Sequence, residues 1–238
     1  MRPFAALAAL ALTAAPLAAQ TPAPAPTPRF GILAGLNSAT LTAEDLLEEP
    51  GTGIDRRNGF AGGVYLTLPV GASGLSFRPE LLYAQRGATA STSFTDEGST
   101  FELDAAFALS YLELPLLLQY AVPTAGGLRP QLYAGVAPAL RTSCRLRVRA
   151  SFAGESESQT TNCDDADEIT EESPDVRRFD VGGVAGGALA FDVGGRALTV
   201  GARYTHGFLR LATDGESPRN RAVAVYGSLE FSAARRVR

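Results

Sequence analysis

Lysine and tryptophan are absent from this 238-residue chain, and histidine, methionine and cysteine number only one, one and two. One His and two Cys are too few ligands for a His/Cys metal centre, and we expect no cofactor. Charged residues make up 19% of the chain and the formal net charge is -4. With 45% hydrophobic residues, this composition excludes a disordered polyelectrolyte, and the negative charge argues against a nucleic-acid partner.

The chain is instead rich in residues that suit strands and turns: 25 Gly, 15 Pro, 12 Phe and 7 Tyr. Its mean hydropathy is close to zero, which is too low for a bundle of membrane helices. A membrane β-barrel has the same average, because its strands alternate apolar and polar residues. Composition therefore excludes a helical membrane protein and leaves both soluble and membrane β-proteins open.

The N-terminus has the order of a secretory signal peptide. Arg2 carries the only charge before an apolar run from Phe4 to Leu17, and small residues follow at Ala18 and Ala19. We predict a signal peptide over 1–19 with cleavage after Ala19; a buried N-terminal helix is the alternative. The Pro/Ala-rich segment 20–29 is predicted to be an extended spacer.

From Arg29 onward, apolar and polar residues alternate with a period of two. For example, Leu112, Leu114 and Leu116 share one face, whereas Glu113 and Leu117 share the other. Such alternation predicts strands with one apolar and one more polar face. The eight predicted strands are 30–41, 58–69, 74–88, 101–121, 128–144, 177–193, 196–211 and 220–231.

The connections between these strands alternate in length. Those at 42–57, 89–100, 145–176 and 212–219 are long and polar, whereas those at 70–73, 122–127 and 194–195 are short. Long loops at one end and tight turns at the other are typical of an outer-membrane barrel. We therefore predict an all-β fold, an eight-stranded antiparallel up-and-down transmembrane β-barrel over 30–231, followed by an Arg-rich periplasmic tail over 232–238.

Charged residues recur on the face opposite the apolar one, together with Gly and Ala. An eight-stranded barrel has an interior that side chains fill, and buried charges must be paired there. We predict that the following residues form a charge network in the lumen: Arg78, Glu80, Arg86, Glu113, Arg141, Asp180, Arg203 and Glu230. A soluble barrel with these charges in water is the alternative. Aromatic residues near strand ends (Phe30, Tyr120, Phe208, Phe231) are candidates for interfacial girdles.

Several segments in combination resemble the PorT-like outer membrane β-barrel family, often described as porin-family proteins. They are Phe30–Asn37 (FGILAGLN), Phe77–Gly87 (FRPELLYAQRG), Tyr111–Leu118 (YLELPLLL), Arg129–Gly135 (RPQLYAG), Asp180–Gly183 (DVGG) and Ala202–Gly207 (ARYTHG). The resemblance covers about 30 to 231 and implies an integral protein of the bacterial outer membrane. The name-giving member is linked to secretion, a role that a strand pattern does not transfer.

Two features depart from the family pattern. Membrane barrels commonly finish on an aromatic residue, but Phe231 is followed here by the Arg-rich tail. The fifth connection is also long and acidic, with no basic residue between Ala150 and Arg177. Hard oxygen ligands for Ca²⁺ stand at Asp164, Asp165, Asp167 and Glu168. Because EF-hand spacing is missing, a solvated loop extended by its own charge is the better interpretation, and no metal site is assigned.

Two cysteines, Cys144 and Cys163, flank 18 residues at the start of this connection. Export through an oxidising periplasm favours a disulfide between them, and two free thiols are the alternative. Arg145, Arg147 and Arg149 alternate just after Cys144. They are placed to meet the anionic sugar-phosphate layer of the outer leaflet, or to pair with the acids of the loop.

The sequence contains few of the residues that nucleophilic catalysis requires. Nucleophilic catalysis usually needs a His near a Ser with an acid behind it, and His206 is the only His. His206 shares the parity of Val200 and Phe208, so we expect an interfacial residue rather than a base. Glu80 and Glu113 are a candidate carboxylate pair, but arginines on the same face favour structural ion pairing.

We therefore predict a non-enzymatic outer-membrane barrel with a filled lumen and a structural or binding role through the extracellular loops 42–57, 145–176 and 212–219. Its expected partners are outer-membrane lipid, lipopolysaccharide and other envelope proteins. The alternatives are a narrow porin or channel, a subunit of an outer-membrane secretion complex, or a lipid-modifying enzyme that depends on His206.

Overall fold

A computed structural model of the chain describes residues 27–42, 52–96, 99–152, 155–163, 177–211 and 219–232. Within these ranges the chain forms ten β-strands. They are β1 (Arg29–Thr42), β2 (Thr52–Pro69), β3 (Leu75–Asp96), β4 (Ser99–Glu113), β5 (Leu116–Ala121), β6 (Leu128–Phe152), β7 (Glu155–Asn162), β8 (Phe179–Val193), β9 (Arg196–Gly207) and β10 (Arg219–Ser232). In the described part of the chain, no helix has the length and apolar content needed to span a membrane.

The strands pair antiparallel in a closed ring. Each ring strand pairs with the next along the chain, and β1 pairs with β10 from Arg29 opposite Ser232 to Thr42 opposite Arg219. β4 and β5 both pair with β3 on one side and β6 on the other, so they are two segments of one ring strand. β7 pairs only with β6 and lies outside the ring. The eight-stranded up-and-down barrel is confirmed, since closure leaves no ring strand with an open edge.

The fourth predicted strand, 101–121, is interrupted at Leu114 and Pro115. Pro115 has no N–H and cannot donate to the ladder. The backbone around it is nevertheless bonded, because Leu114 N–H donates to the Pro138 carbonyl and Glu80 N–H donates to the Pro115 carbonyl, both at 2.8 Å. The interruption is therefore a local irregularity in one ring strand rather than a turn.

Short connections lie at one end of the barrel, at 70–74, 122–127 and 194–195, in agreement with the sequence. Gly194 and Gly195 form a two-residue hairpin turn with φ of 59° and 77°, a conformation that favours glycine at both positions. We call this end the short-turn end and the opposite one the long-connection end.

Strand lengths at the long-connection end differ from the prediction. β2 begins at Thr52 instead of 58, β3 continues to Asp96 instead of 88, and β6 continues to Phe152 instead of 144. The predicted loop 145–176 therefore holds strand, and β7 completes a hairpin with β6 there. Apolar alternation fails to reveal these extensions because neither face needs to be apolar beyond the membrane, while backbone pairing continues. By contrast, β9 is shorter than predicted, since it ends at Gly207 instead of 211.

Large apolar side chains are exposed on the outside of the ring and form an apolar belt. The belt includes Ile32, Leu36, Val64, Leu66, Leu81, Leu112, Leu118, Leu132, Val136, Leu140, Leu189, Leu198, Val200, Val223 and Val225. Their immediate neighbours in sequence are mostly buried inside the ring, as the period-two pattern predicts. A soluble barrel would have the reverse arrangement, with apolar residues inside and charges in water.

The predicted girdle residues lie near the two ends of the belt. Phe30 and Phe231 stack at the short-turn end with ring centroids 5.2 Å apart. Tyr120 is exposed at the same end, and Phe208 is exposed at the long-connection end. The signal peptide 1–19, most of the spacer 20–29 and the tail after Ser232 lie outside the described residues and stay predictions.

Candidate functional site

The centre of the lumen holds a buried carboxylate between two arginines. Glu80 on β3 is only 1% exposed. Its Oε1 lies 2.8 Å from Arg78 Nε, and Arg203 Nη1 on β9 donates to its Oε2 at 2.6 Å. Arg203 Nη2 also donates to Oε1 at 3.3 Å, and Arg78 Nη1 donates to Gln119 Oε1 at 3.0 Å. The pairing of Glu80 with Arg203 therefore joins strands on opposite sides of the barrel.

Tyrosine rings surround these two arginines. The Arg78 guanidinium lies 3.8 Å from the ring centroid of Tyr65, and that of Arg203 lies 4.7 Å from Tyr226 and 5.8 Å from Tyr133. Tyr226 donates its hydroxyl hydrogen to the Tyr133 hydroxyl at 3.0 Å. Aromatic faces attract cations most strongly where water is excluded. The tyrosines therefore compensate part of the desolvation of the guanidinium groups.

Each of these three tyrosines lies over a glycine directly opposite it on the neighbouring strand. A Cβ atom built on the glycine would come within 2.2–2.7 Å of a tyrosine ring or hydroxyl atom. The pairs are Tyr65 over Gly31, Tyr133 over Gly186 and Tyr226 over Gly201. The glycines thus leave the space that the rings occupy inside a narrow barrel.

A second group of polar residues lies nearer the long-connection end. Arg86 Nη2 on β3 is 2.7 Å from Glu113 Oε1 on β4, and both side chains are buried. Asn220 on β10 donates through Nδ2 to Asp180 Oδ2 and to the Tyr111 hydroxyl, each at 3.2 Å. The first contact connects β3 with β4, and the other two connect β10 with β8 and with β4. All of them lie between the central group and the long-connection end.

The remaining predicted residues occupy two places. Arg141 is buried on β6, where its backbone N–H donates to the Arg178 carbonyl at 2.7 Å. Glu230 lies at the short-turn end, apart from the central group. There it contacts Arg29 at 3.2 Å and accepts a hydrogen bond from Thr67 Oγ1 at 2.7 Å. All eight residues therefore face the interior, at different heights along the barrel axis.

A small cavity lies between the side chains of these groups. A cavity of about 20 Å³ lies beside Arg86, Glu113 and Arg203. This volume holds about one water molecule. The four arginines and four acids of the predicted set also balance in charge. Among the described residues, the lumen therefore holds buried side chains of balanced charge, which we call the plug.

Sequence reasoning missed several residues that contact the predicted charged side chains in the lumen. Tyr65, Tyr133, Gln119 and Asn220 are buried among the charges, and Arg29 pairs with Glu230. A signal for them was present, because each has the inward parity of its strand. Their roles depend on contacts across the barrel, which period-two alternation does not report.

The structure joins Cys144 and Cys163 by a disulfide with Cα atoms 5.3 Å apart. The bond connects β6 with the end of β7 and closes the hairpin outside the ring. The cation candidates Asp164, Asp165, Asp167 and Glu168 lie outside the described residues. Among the residues that the structure does describe, no group of His, Cys, Asp and Glu has the arrangement of a metal site.

His206 lies on the outward-facing side of β9, away from the plug. Its Nδ1 is 3.4 Å from the Tyr204 hydroxyl, and its ring lies between those of Tyr204 and Phe208 at centroid distances of 6.3 and 6.1 Å. Within the described ranges, no Ser hydroxyl or carboxylate is hydrogen-bonded to it. The position is that of an interfacial aromatic residue.

The ring, its apolar belt and its polar interior define a membrane-spanning β-barrel. Residues 19–212 match the family model described as outer membrane protein beta-barrel domain. The chain belongs to this family and is an integral protein of the bacterial outer membrane. The last ring strand, β10, lies beyond the matched residues and closes the barrel onto β1.

Several solved barrels are similar to the chain. Neisserial surface protein A (NspA) is 14% identical, with 85% of this chain and 96% of that chain covered and a TM-score of 0.39. OprG from Pseudomonas aeruginosa is 12% identical, with 87% and 97% covered and a TM-score of 0.42. The outer membrane enzyme PagL is 11% identical, with 82% and 97% covered and a TM-score of 0.28. No curated protein matches the sequence.

Proposed function

We propose that this protein is a non-conducting outer-membrane barrel that acts through its long-connection end, in a structural or binding role. The observation that carries the proposal is the buried group at the centre of the lumen, Glu80 between Arg78 and Arg203. An ion that crossed the barrel would have to separate these buried, paired groups, which is energetically costly. Activity is therefore expected on the surface, not along the axis.

Of the two ends of the barrel, the long-connection end offers more surface for binding. The short-turn end has only tight turns, whereas β2, β3, β6 and β7 extend beyond the belt at the other end. Outer-membrane barrels place short turns in the periplasm and longer loops outside the cell. The extended strands then face the exterior, where they are available to lipopolysaccharide or other envelope proteins.

Planar-bilayer conductance tests the plug. We expect the native protein to give no discrete current steps, and the triple variant Arg78→Ser/Glu80→Ser/Arg203→Ser to give them because the central group is gone. Heat-modifiable migration on gels, in which unboiled and boiled samples run differently, shows that each sample is folded. Discrete steps from the folded native protein would favour the alternative, a narrow porin.

The resemblance to PorT-like proteins supports a finer assignment within the family. The Tyr111–Leu118 segment is its most specific part, and in the structure it supplies both lumen and belt residues around Pro115. A role as a subunit of a secretion complex would follow only if other envelope proteins co-purify after mild detergent extraction.

We also propose that the protein is not an enzyme. The position of His206 between two aromatic rings supports this, because a general base needs a nucleophile within hydrogen-bond reach. PagL is described as an enzyme, but a likeness at 11% identity concerns the fold alone.

A further inference from the structure

Three arginines follow one another on the outward face of β6, just beyond the belt. Arg145, Arg147 and Arg149 are exposed, whereas Leu146 and Val148 between them are less so. Alternate residues of a strand lie about 7 Å apart on the same face. The three guanidinium groups therefore form a row about 14 Å long, which we call the arginine row.

The contacts of the arginine row with the other described residues include one side-chain hydrogen bond. Within the described ranges, no acidic side chain forms an ion pair with Arg145, Arg147 or Arg149. Arg147 Nε donates to Thr160 Oγ1 on β7 at 3.4 Å. Arg145 lies between Ala108 and Asn162 on the neighbouring strands.

The row is not uniform along its length. Arg149, the member farthest from the belt, is directly opposite Asp104 on β4. Arg147 is opposite the small neutral residue Ala106. Asp55 on β2 lies in the same register row as Arg147, two strands beyond Ala106. An anion is therefore attracted most strongly to Arg145, the member of the row nearest the membrane.

The row continues directly from the belt. Tyr83, Leu112, Leu140 and Phe179 are exposed and aligned across four strands, and they form the last apolar row on this side. From Leu140 to Arg145 the strand advances about four steps of ~3.3 Å at a tilt of ~40°, which places Arg145 roughly 10 Å above Leu140. The headgroup region of a leaflet is about 5–8 Å thick. The backbone of Arg145 thus lies just beyond this region, and its long side chain can reach back into it.

A concave region of about 350 Å³ opens beside the row, where Arg147 and Arg149 are joined by the polar residues Asp55, Ser91, Asp104 and Ser158. Its hydroxyl and carboxylate groups suit the hydroxyls of a sugar. A ligand that filled this concavity and reached Arg145 would carry its negative charge towards the membrane.

We propose that the arginine row binds the phosphate groups of the glycolipid in the outer leaflet, with the sugar in the concavity and the acyl chains along the belt. Planar guanidinium groups suit phosphate because they donate two parallel hydrogen bonds. A lipid-linked source is favoured over a soluble polyanion because Asp104 repels anions at the outer half of the row. The inference rests on the proposed outward position of the long-connection end.

Native mass spectrometry of the full chain in detergent tests the site, with bis-phosphorylated lipid A as the probe. We expect the native protein to retain about tenfold more of this lipid than of lipid A without its phosphates. Arg145→Gln/Arg147→Gln should lose that preference, and Arg145→Lys/Arg147→Lys should keep most of it. The matched control, Arg129→Gln/Arg196→Gln at the short-turn end, removes the same charge and should bind like the native protein.

The proposal is overturned if Arg145→Gln/Arg147→Gln retains the lipid as well as the native protein does, or if the phosphates make no difference. Competition by inositol hexakisphosphate as strong as that of lipid A would also overturn it, in favour of a soluble polyanion site. Heat-modifiable migration must accompany every binding measurement. Discrete current steps from the folded native protein would instead contradict the proposed function, so the two failures are distinguishable.

Discussion

At the residue scale, Glu80 and Glu230 show how depth in the lumen changes the role of one residue type. Glu80 is fully buried and faces two arginines, which are themselves nearly buried. Glu230 is 11% exposed and pairs with Arg29, whose side chain is 42% exposed. Water screens the second pair and is excluded from the first, so the two carboxylates contribute differently to stability.

Glu80→Gln should lower the free energy of unfolding by about 3–5 kcal/mol, because two buried guanidinium groups lose their counter-ion. Glu230→Gln, the matched control, should lower it by less than about 1 kcal/mol. Urea titration of the barrel in detergent, followed by the heat-modifiable gel shift, measures both values. Equal losses for the two variants would contradict the different roles assigned to these carboxylates.

At the element scale, the pairing of strands explains why glycines stand inside strands that otherwise favour bulky residues. Glycine usually weakens a strand, but here it often lies opposite an inward-facing tyrosine. Gly31 is the clearest case, since an added Cβ would be 2.2 Å from the Tyr65 ring. By contrast, the nearest atom to a Cβ on Gly227 of β10 would be 4.0 Å away.

Gly31→Ala should destabilise the barrel by about 1–3 kcal/mol, because the Tyr65 ring must move within a packed lumen. Gly227→Ala is the control, with the same chemical change and no contact to relieve, and it should be close to neutral. The same urea titration compares them. If Gly227→Ala cost as much as Gly31→Ala, backbone flexibility rather than the ring contact would be responsible.

At the scale of the whole molecule, the barrel depends on closure. β10 is hydrogen-bonded to β1 on one side and β9 on the other, so its loss would leave two open edges in lipid. β7 pairs only with β6 and lies beyond the belt. The barrel therefore requires β10 for closure, whereas it can close without β7.

Val225→Pro on β10 should abolish the folded barrel, because proline removes a donor from a strand that is paired on both sides. Val225 is exposed on the belt, so its side chain is not needed inside the barrel. Ser158→Pro on β7 should leave the heat-modifiable band unchanged. Loss of that band in Ser158→Pro would mean that the hairpin outside the ring is needed for folding.

The sequence by itself determined the order of the ring strands, the closed ring, and the inward or outward face of the residues within the belt. It could do so because lipid requires an apolar outer face and an eight-stranded lumen admits only side chains, which together impose a period of two. The extensions of β2, β3 and β6 could not be predicted in this way, since beyond the membrane neither face must be apolar. The hairpin of β6 and β7 was missed for the same reason.

Only the tertiary structure decided which charges meet. Arg203 is 123 residues from Glu80 in sequence, and their contact depends on the curvature of the whole ring. Period-two alternation placed both Glu230 and Glu80 on the inward face. Glu230 lies nearer the end of the barrel, however, where it pairs with Arg29 and is more exposed to solvent. The tertiary structure therefore shows where charged side chains are placed in this barrel. Some are paired inside the lumen, and an arginine row lies where the barrel leaves the membrane.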